Sequence, residues 1–144
     1  SVATSRYPAQ LGRPALDNDR LVFVSSSSSG SRLVRVGLRH DHRRTSTLRS
    51  STSAQYLSAA AAGGRILYVV SYRCGQALHV MRATGSHDSV ILRGRGPAGS
   101  GGCGQSGTPP AFWTVALAGG SAYLTRLVFH HDGRSTATIV RVGT

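Results

Sequence analysis

At 144 residues with 40% apolar side chains, the chain can bury a real core as one domain or as part of a larger one, and it is too apolar to be disordered throughout. Its formal charge is +12; the 17 basic residues are all Arg and the five acidic residues all Asp, so the helix formers Lys and Glu are missing and polyanions become attractive partners. The run 57–62 is far too short to cross a bilayer, and no signal region opens the chain, which begins on Ser1 and reads as a processed product or a fragment.

In chain order, residues 1–13 form an N-terminal segment, in which Val2-Ala3-Thr4 could donate an outer strand to another unit. A first unit, 14–50, holds strands at 21–25, 32–38 and 45–49. Its expected inner strand, near Pro14 to Leu16, is weak because Pro cannot donate to a ladder. The serines from Ser25 to Ser29 read as an exposed hairpin tip. A second unit, 51–95, has strands at 56–61, 65–72, 76–82 and 89–93. The first of these is rich in Ala, and Gly63-Gly64 stops any helix that could start there. A Gly/Pro-rich loop, 96–110, leads to a third unit, 111–144, with strands at 112–117, 122–129 and 136–142 and no fourth.

The three units are copies of one pattern. The segments 16–24, 61–69 and 117–125 each place an Asn-Asp or Gly-Gly turn before an apolar, β-rich run. Such dipeptides supply the positive φ angles of tight hairpins. A second match falls in step: Leu33-Val34-Arg35-Val36, Leu78-His79-Val80-Met81 and Ile139-Val140-Arg141-Val142. Between the first two copies both matches are offset by the same 45 residues. The expectation is an all-β protein of tandem four-stranded antiparallel sheets, the blades of a β-propeller. Small Ala side chains suit the innermost strand, where neighbouring sheets converge.

Units of this length, with an inner strand, a Gly-Gly or Asn-Asp turn, an aromatic-bearing second strand and a Leu-x-Val-type third strand, resemble the blades of TolB-type and WD-repeat-like propellers, above all those of GC-rich actinobacteria. The resemblance implies binding or scaffolding rather than catalysis. Closed propellers carry four to eight blades, so three imply a partial chain completed by further blades or by a homo-oligomer. A non-propeller sandwich of similar strands is the other reading.

In an up-and-down blade the loops after the second and fourth strands emerge on one face. Cys74 and Cys103 sit in two such loops and are expected to form a disulfide, which places the protein outside the cytoplasm. A pair of unrelated free thiols is the alternative. The same face would carry the ligand-facing residues Ser27, Arg73, Gln105, His130, His131 and Arg134.

No catalytic or metal site is expected, and no cofactor. His40-Asp41-His42 has chelating spacing, but Arg43-Arg44 beside it opposes a cation. His87-Asp88 and His130-His131-Asp132-Gly133 read as turns, and His79 as a strand-face residue. Trp113 and Tyr123 could stack on sugars, with Arg126 holding an anion, or could pack between blades. The expected function is a non-enzymatic extracytoplasmic binding module for a protein or glycan. The alternatives are an Arg-rich polyanion binder of cell-wall polymer or nucleic acid, and part of a propeller hydrolase whose catalytic residues lie elsewhere.

Overall fold

A computed structural model describes residues 10–39, 43–73, 75–95, 111–130 and 132–144, apart from the side chains of residues 95, 111, 113 and 129. Every regular element among them is a strand, and no helix is long and apolar enough to cross a membrane. Sheet 1 comprises β1 (Gln10–Leu11), β2 (Ala15–Asp17), β3 (Arg20–Ser27), β4 (Gly30–Gly37) and β5 (Thr45–Ser51). Sheet 2 comprises β6 (Gln55–Ala62), β7 (Arg65–Tyr72), β8 (Gly75–Arg82) and β9 (Ser89–Arg95). Sheet 3 comprises β10 (Ala111–Ala118), β11 (Ser121–Phe129) and β12 (Ser135–Gly143). All pairings are antiparallel and, apart from that of β1 with β3, join chain neighbours, so each sheet is an up-and-down meander.

The inner strand of sheet 1 exists, in two pieces. β1 and β2 both pair with β3, on either side of Gly12-Arg13-Pro14, and Gly12 N–H still donates to Val24 O at 2.7 Å. Pro14 thus breaks the ladder locally, and pairing resumes upstream of it at Gln10. The same place is irregular in every sheet. β6 shifts register between Tyr56 and Ser58, opposite Val70 and Val69. β10 shifts between Phe112 and Val115, opposite Arg126 and Leu124. Each inner strand therefore carries one extra residue at matching positions, and such a bulge bends and twists the strand. The outer strands β5 and β9 shift at matching positions too, opposite Leu33/Val34 and Leu78/His79.

Side-chain alternation along the strands gives sheet 2 two apolar faces. Ile66, Tyr68, Val70 and Met81 meet Val22, Val24 and Leu33 of sheet 1. Leu67, Val69 and Leu78 meet Phe112, Ala122 and Leu124 of sheet 3. Inner strand β6 touches β2, β3 and β4 on one side and β10 on the other, so the Ala-rich strand lies where the sheets converge. The architecture is all-β, three antiparallel sheets stacked as propeller blades.

Backbone bonds to side chains hold the blades in step. Ser31 Oγ, second residue of β4, accepts Tyr56 N–H of β6 at 3.0 Å, and Gln76 Oε1, second residue of β8, accepts Phe112 N–H of β10 at 2.6 Å. Both polar side chains are buried. They satisfy a main-chain donor in the bulged stretch of the next sheet, which the ladder leaves free.

Candidate functional site

Topology places the B–C hairpins, those joining the second and third strands of each sheet, at one common end: Ser27–Gly30, Tyr72–Gly75 and the 129–135 connection. Ser27, Arg73, His130 and Arg134 all lie there, exposed. Ser27 Oγ bonds Ser29 Oγ at 2.8 Å; His130 Nε2 meets Thr136 Oγ1 at 2.8 Å; Arg134 Nε pairs with Asp132 at 3.5 Å. These partners all belong to the residue's own hairpin. Cys74, Cys103, Gln105, His131 and the 96–110 loop lie outside the described residues, as do 1–9 and the triplet His40-Asp41-His42. Tyr123 is half-buried on the face of sheet 3 that points away from sheet 2, and Arg126 is exposed on the opposite face.

Near that end, β4 and β5 of sheet 1 form a polar groove of about 680 Å³. Ser29, Ser31, Thr47, Ser51 and Thr52 line it, with Arg32 as its cation. Its hydroxyls come from two strands in register, Ser31 opposite Ser51 and Arg32 opposite Ser50. Ser31 and Ser51 are committed: Ser31 to Tyr56 N–H, Ser51 to Ala54 N–H at 2.9 Å. The side chains of Thr47, Ser50 and Thr52 and the Arg32 guanidinium, with no bond to any described residue, are the groups that can meet a ligand. A groove lined by hydroxyls, with one exposed fork of donors, can exchange hydrogen bonds with a polyhydroxylated or anionic molecule.

A second polar constellation joins sheets 1 and 2, and it escaped the turn reading of His87-Asp88. Asp88 ends the β8–β9 connection and turns its carboxylate inward. Oδ2 accepts Tyr68 OH at 2.5 Å and Arg49 Nε of β5 at 2.9 Å, while Oδ1 faces His79 Nδ1 at 3.1 Å. An ionised carboxylate only accepts, so His79 Nδ1 carries a proton and donates to it, while Nε2 meets Tyr72 OH at 3.3 Å. The imidazole stacks on Tyr68, ring centroids 4.9 Å apart. Arg49 also donates to Leu48 O at 2.7 Å and Gly85 O at 2.9 Å.

Electrostatics follow from this packing. Burial alone would raise the Asp88 pKa, but the bonds from Tyr68, Arg49 and His79 outweigh it and hold the carboxyl below its ordinary value. Burial first, then the bond to Asp88 and its charge, push the Tyr68 phenol well above the usual range. For Arg49 burial works against the charge, yet the Asp88 bond and charge raise its pKa. The side chains of His79 and Asp88 are only 14% and 22% exposed. With three donors on one carboxylate and an Arg neutralising it, the cluster is a latch between blades. Asp17 makes another: its Oδ1 accepts Gly63 N–H at 3.2 Å and its Oδ2 accepts Gly64 N–H at 2.8 Å. Arg35 Nη1 adds a bond to Ala83 O at 2.5 Å. Comparison of the chain with protein-family models and with curated proteins finds no match.

Proposed function

We propose that the protein is a non-enzymatic extracytoplasmic binding module that takes a glycan in the hydroxyl-lined groove of sheet 1. The observation that carries this reading is the groove itself, with Arg32, Thr47 and Thr52 presented beside the B–C hairpin end. The resemblance of the units to TolB-type and WD-repeat-like blades supports binding over catalysis, and function belongs to the site rather than the fold. Affinity electrophoresis through gels containing neutral or uronate-bearing polysaccharides tests it. Retardation that Arg32→Ala and Thr47→Val both weaken supports the reading; mobility equal to that in a blank gel for every polymer refutes it. For the location outside the cytoplasm, the expected Cys74–Cys103 bridge is the marker. Thiols that resist alkylation in the unfolded chain until reduced would support it.

Charge favours a second reading, a polyanion binder. Of the carboxylates described, Asp19 is paired with Arg39, Asp88 with Arg49 and Asp132 with Arg134, while Asp17 caps a turn. Most of the excess arginines face solvent, including Arg32, Arg44, Arg82 and Arg93. Retention on heparin that falls steeply with salt, and that Arg32→Ala leaves unchanged, would favour this reading over the first.

A further inference from the structure

The latch made by Asp17 shows what an inter-blade turn of this protein binds, and at the next junction the same turn has no such partner among the described residues. The turns Gly63-Gly64 and Gly119-Gly120 have nearly the same shape, with φ of 59° and 73° in one and 54° and 72° in the other. Each is followed by the start of a second strand, Arg65 or Ser121, and preceded by the end of an inner strand, Ala62 or Ala118. At the first junction, Asp17 of sheet 1 places its two carboxylate oxygens on the N–H groups of Gly63 and Gly64. The residue of sheet 2 that corresponds to Asp17 is Ala62, which has no carboxylate to offer.

What lies at the second junction is a cavity of about 450 Å³, lined by Ala62, Arg65, Gly119, Gly120 and Thr144 among others. No described residue accepts a hydrogen bond from Gly119 N–H or Gly120 N–H. Arg65 Nη1 donates to Thr144 Oγ1 at 2.9 Å, and Thr144 Oγ1 in turn donates to Gly120 O at 2.7 Å, so the guanidinium is tethered at the rim of the turn. A smaller cavity of about 230 Å³ shares Arg65 and Thr144 and adds Arg82 and His87. Paired main-chain donors beside a tethered guanidinium form an anion-binding concavity.

We propose that this cavity is a binding site for a carboxylate group, held by Gly119 N–H and Gly120 N–H as Asp17 is held by Gly63 and Gly64, with Arg65 supplying the countercharge. The group can come from a free small carboxylate or from an acidic side chain of a partner protein. This site lies at the opposite end of the sheets from the B–C hairpins and stands apart from the glycan reading.

Amide NMR of the full chain tests it, with acetate and a blocked Gly-Asp-Gly peptide as probes and chloride at equal ionic strength as control. The Gly119 and Gly120 amides are expected to shift downfield and saturate, while those of Gly63 and Gly64, already capped, stay in place. Saturation at lower peptide than acetate concentration assigns the site to a protein side chain; the reverse order assigns it to a free carboxylate. Arg65→Gln is expected to weaken binding by roughly two- to fivefold, the range of an exposed ion pair. Ala62→Asp is expected to shift the same two amides without any probe and to abolish the titration. Gly119 and Gly120 amides that respond no more to either probe than to chloride overturn the proposal, whether or not the variants fold.

Discussion

Asp88 is the residue on which the polar contacts of Tyr68, His79 and, from sheet 1, Arg49 converge. Its folded pKa lies below the ordinary 3.8, so its ionised form stabilises the fold. That contribution is fully present above the unfolded value and is lost as pH falls through the depressed folded one. The stability gap between wild type and Asp88→Asn is therefore expected to be constant at neutral pH and to close below about pH 4, as urea melts across pH 3 to 7 would show. Tyr68 acts in the other direction. Its phenol is held neutral well above 10, so its stabilising share is present at neutral pH and declines as pH rises past the unfolded value. Tyr68→Phe should flatten that alkaline limb. The sequence hid this cluster because its members come from two units, with Arg49 on β5, and because His-Asp before a strand has the look of a turn. His79 was readable as a strand-face residue, but not as the partner of a carboxylate nine positions on.

Among the elements, the inner strands and their side-chain struts decide how blades meet. Removing the Ser31 hydroxyl leaves Tyr56 N–H buried without a partner, at a cost of about 1–3 kcal/mol. Ser31→Ala is therefore expected to destabilise by that amount and to speed exchange of the Tyr56 amide selectively. Gly94 of β9 tests the neighbouring junction. A Cβ there would sit 2.7 Å from the Phe112 ring, so Gly94→Ala should cost about 1–3 kcal/mol by overpacking, read from thermal or urea melts. Strand positions were legible because two-residue turns and apolar alternation leave few choices of register. Bulges were not, since one extra residue in Gln55–Ala62 or Ala111–Ala118 leaves composition and turn signals untouched. In β1 and β2, Pro14 masked a strand that the fold keeps by splitting it. The groove was also out of reach, because it needs Thr47 and Ser50 of one strand beside Ser31 and Arg32 of another.

Across the whole molecule the packing positions repeat, and among the described residues no further sheet packs on the outer face of the third copy. Leu33 and Leu78 occupy corresponding positions, each fully buried against the next sheet at 0% exposure, whereas Ile139 at the corresponding place in β12 is 79% exposed. Leu33→Ala and Leu78→Ala should each cost about 2–5 kcal/mol. Ile139→Ala should change stability by no more than about 0.5 kcal/mol, as chemical melts of the single chain would register. Further blades, whether from a longer chain or a second copy, would bring Ile139 into line with the other two.

Sheet 2 is clamped between its two neighbours. Hydrogen exchange of the native chain, followed by mass spectrometry, reads this directly, because β7 is buried on both faces while β12 is covered on one face and paired along one edge. Peptides spanning 65–72 are expected to exchange slowest and those spanning 135–143 fastest among the strands. Exchange of 65–72 as fast as that of 135–143 would contradict it.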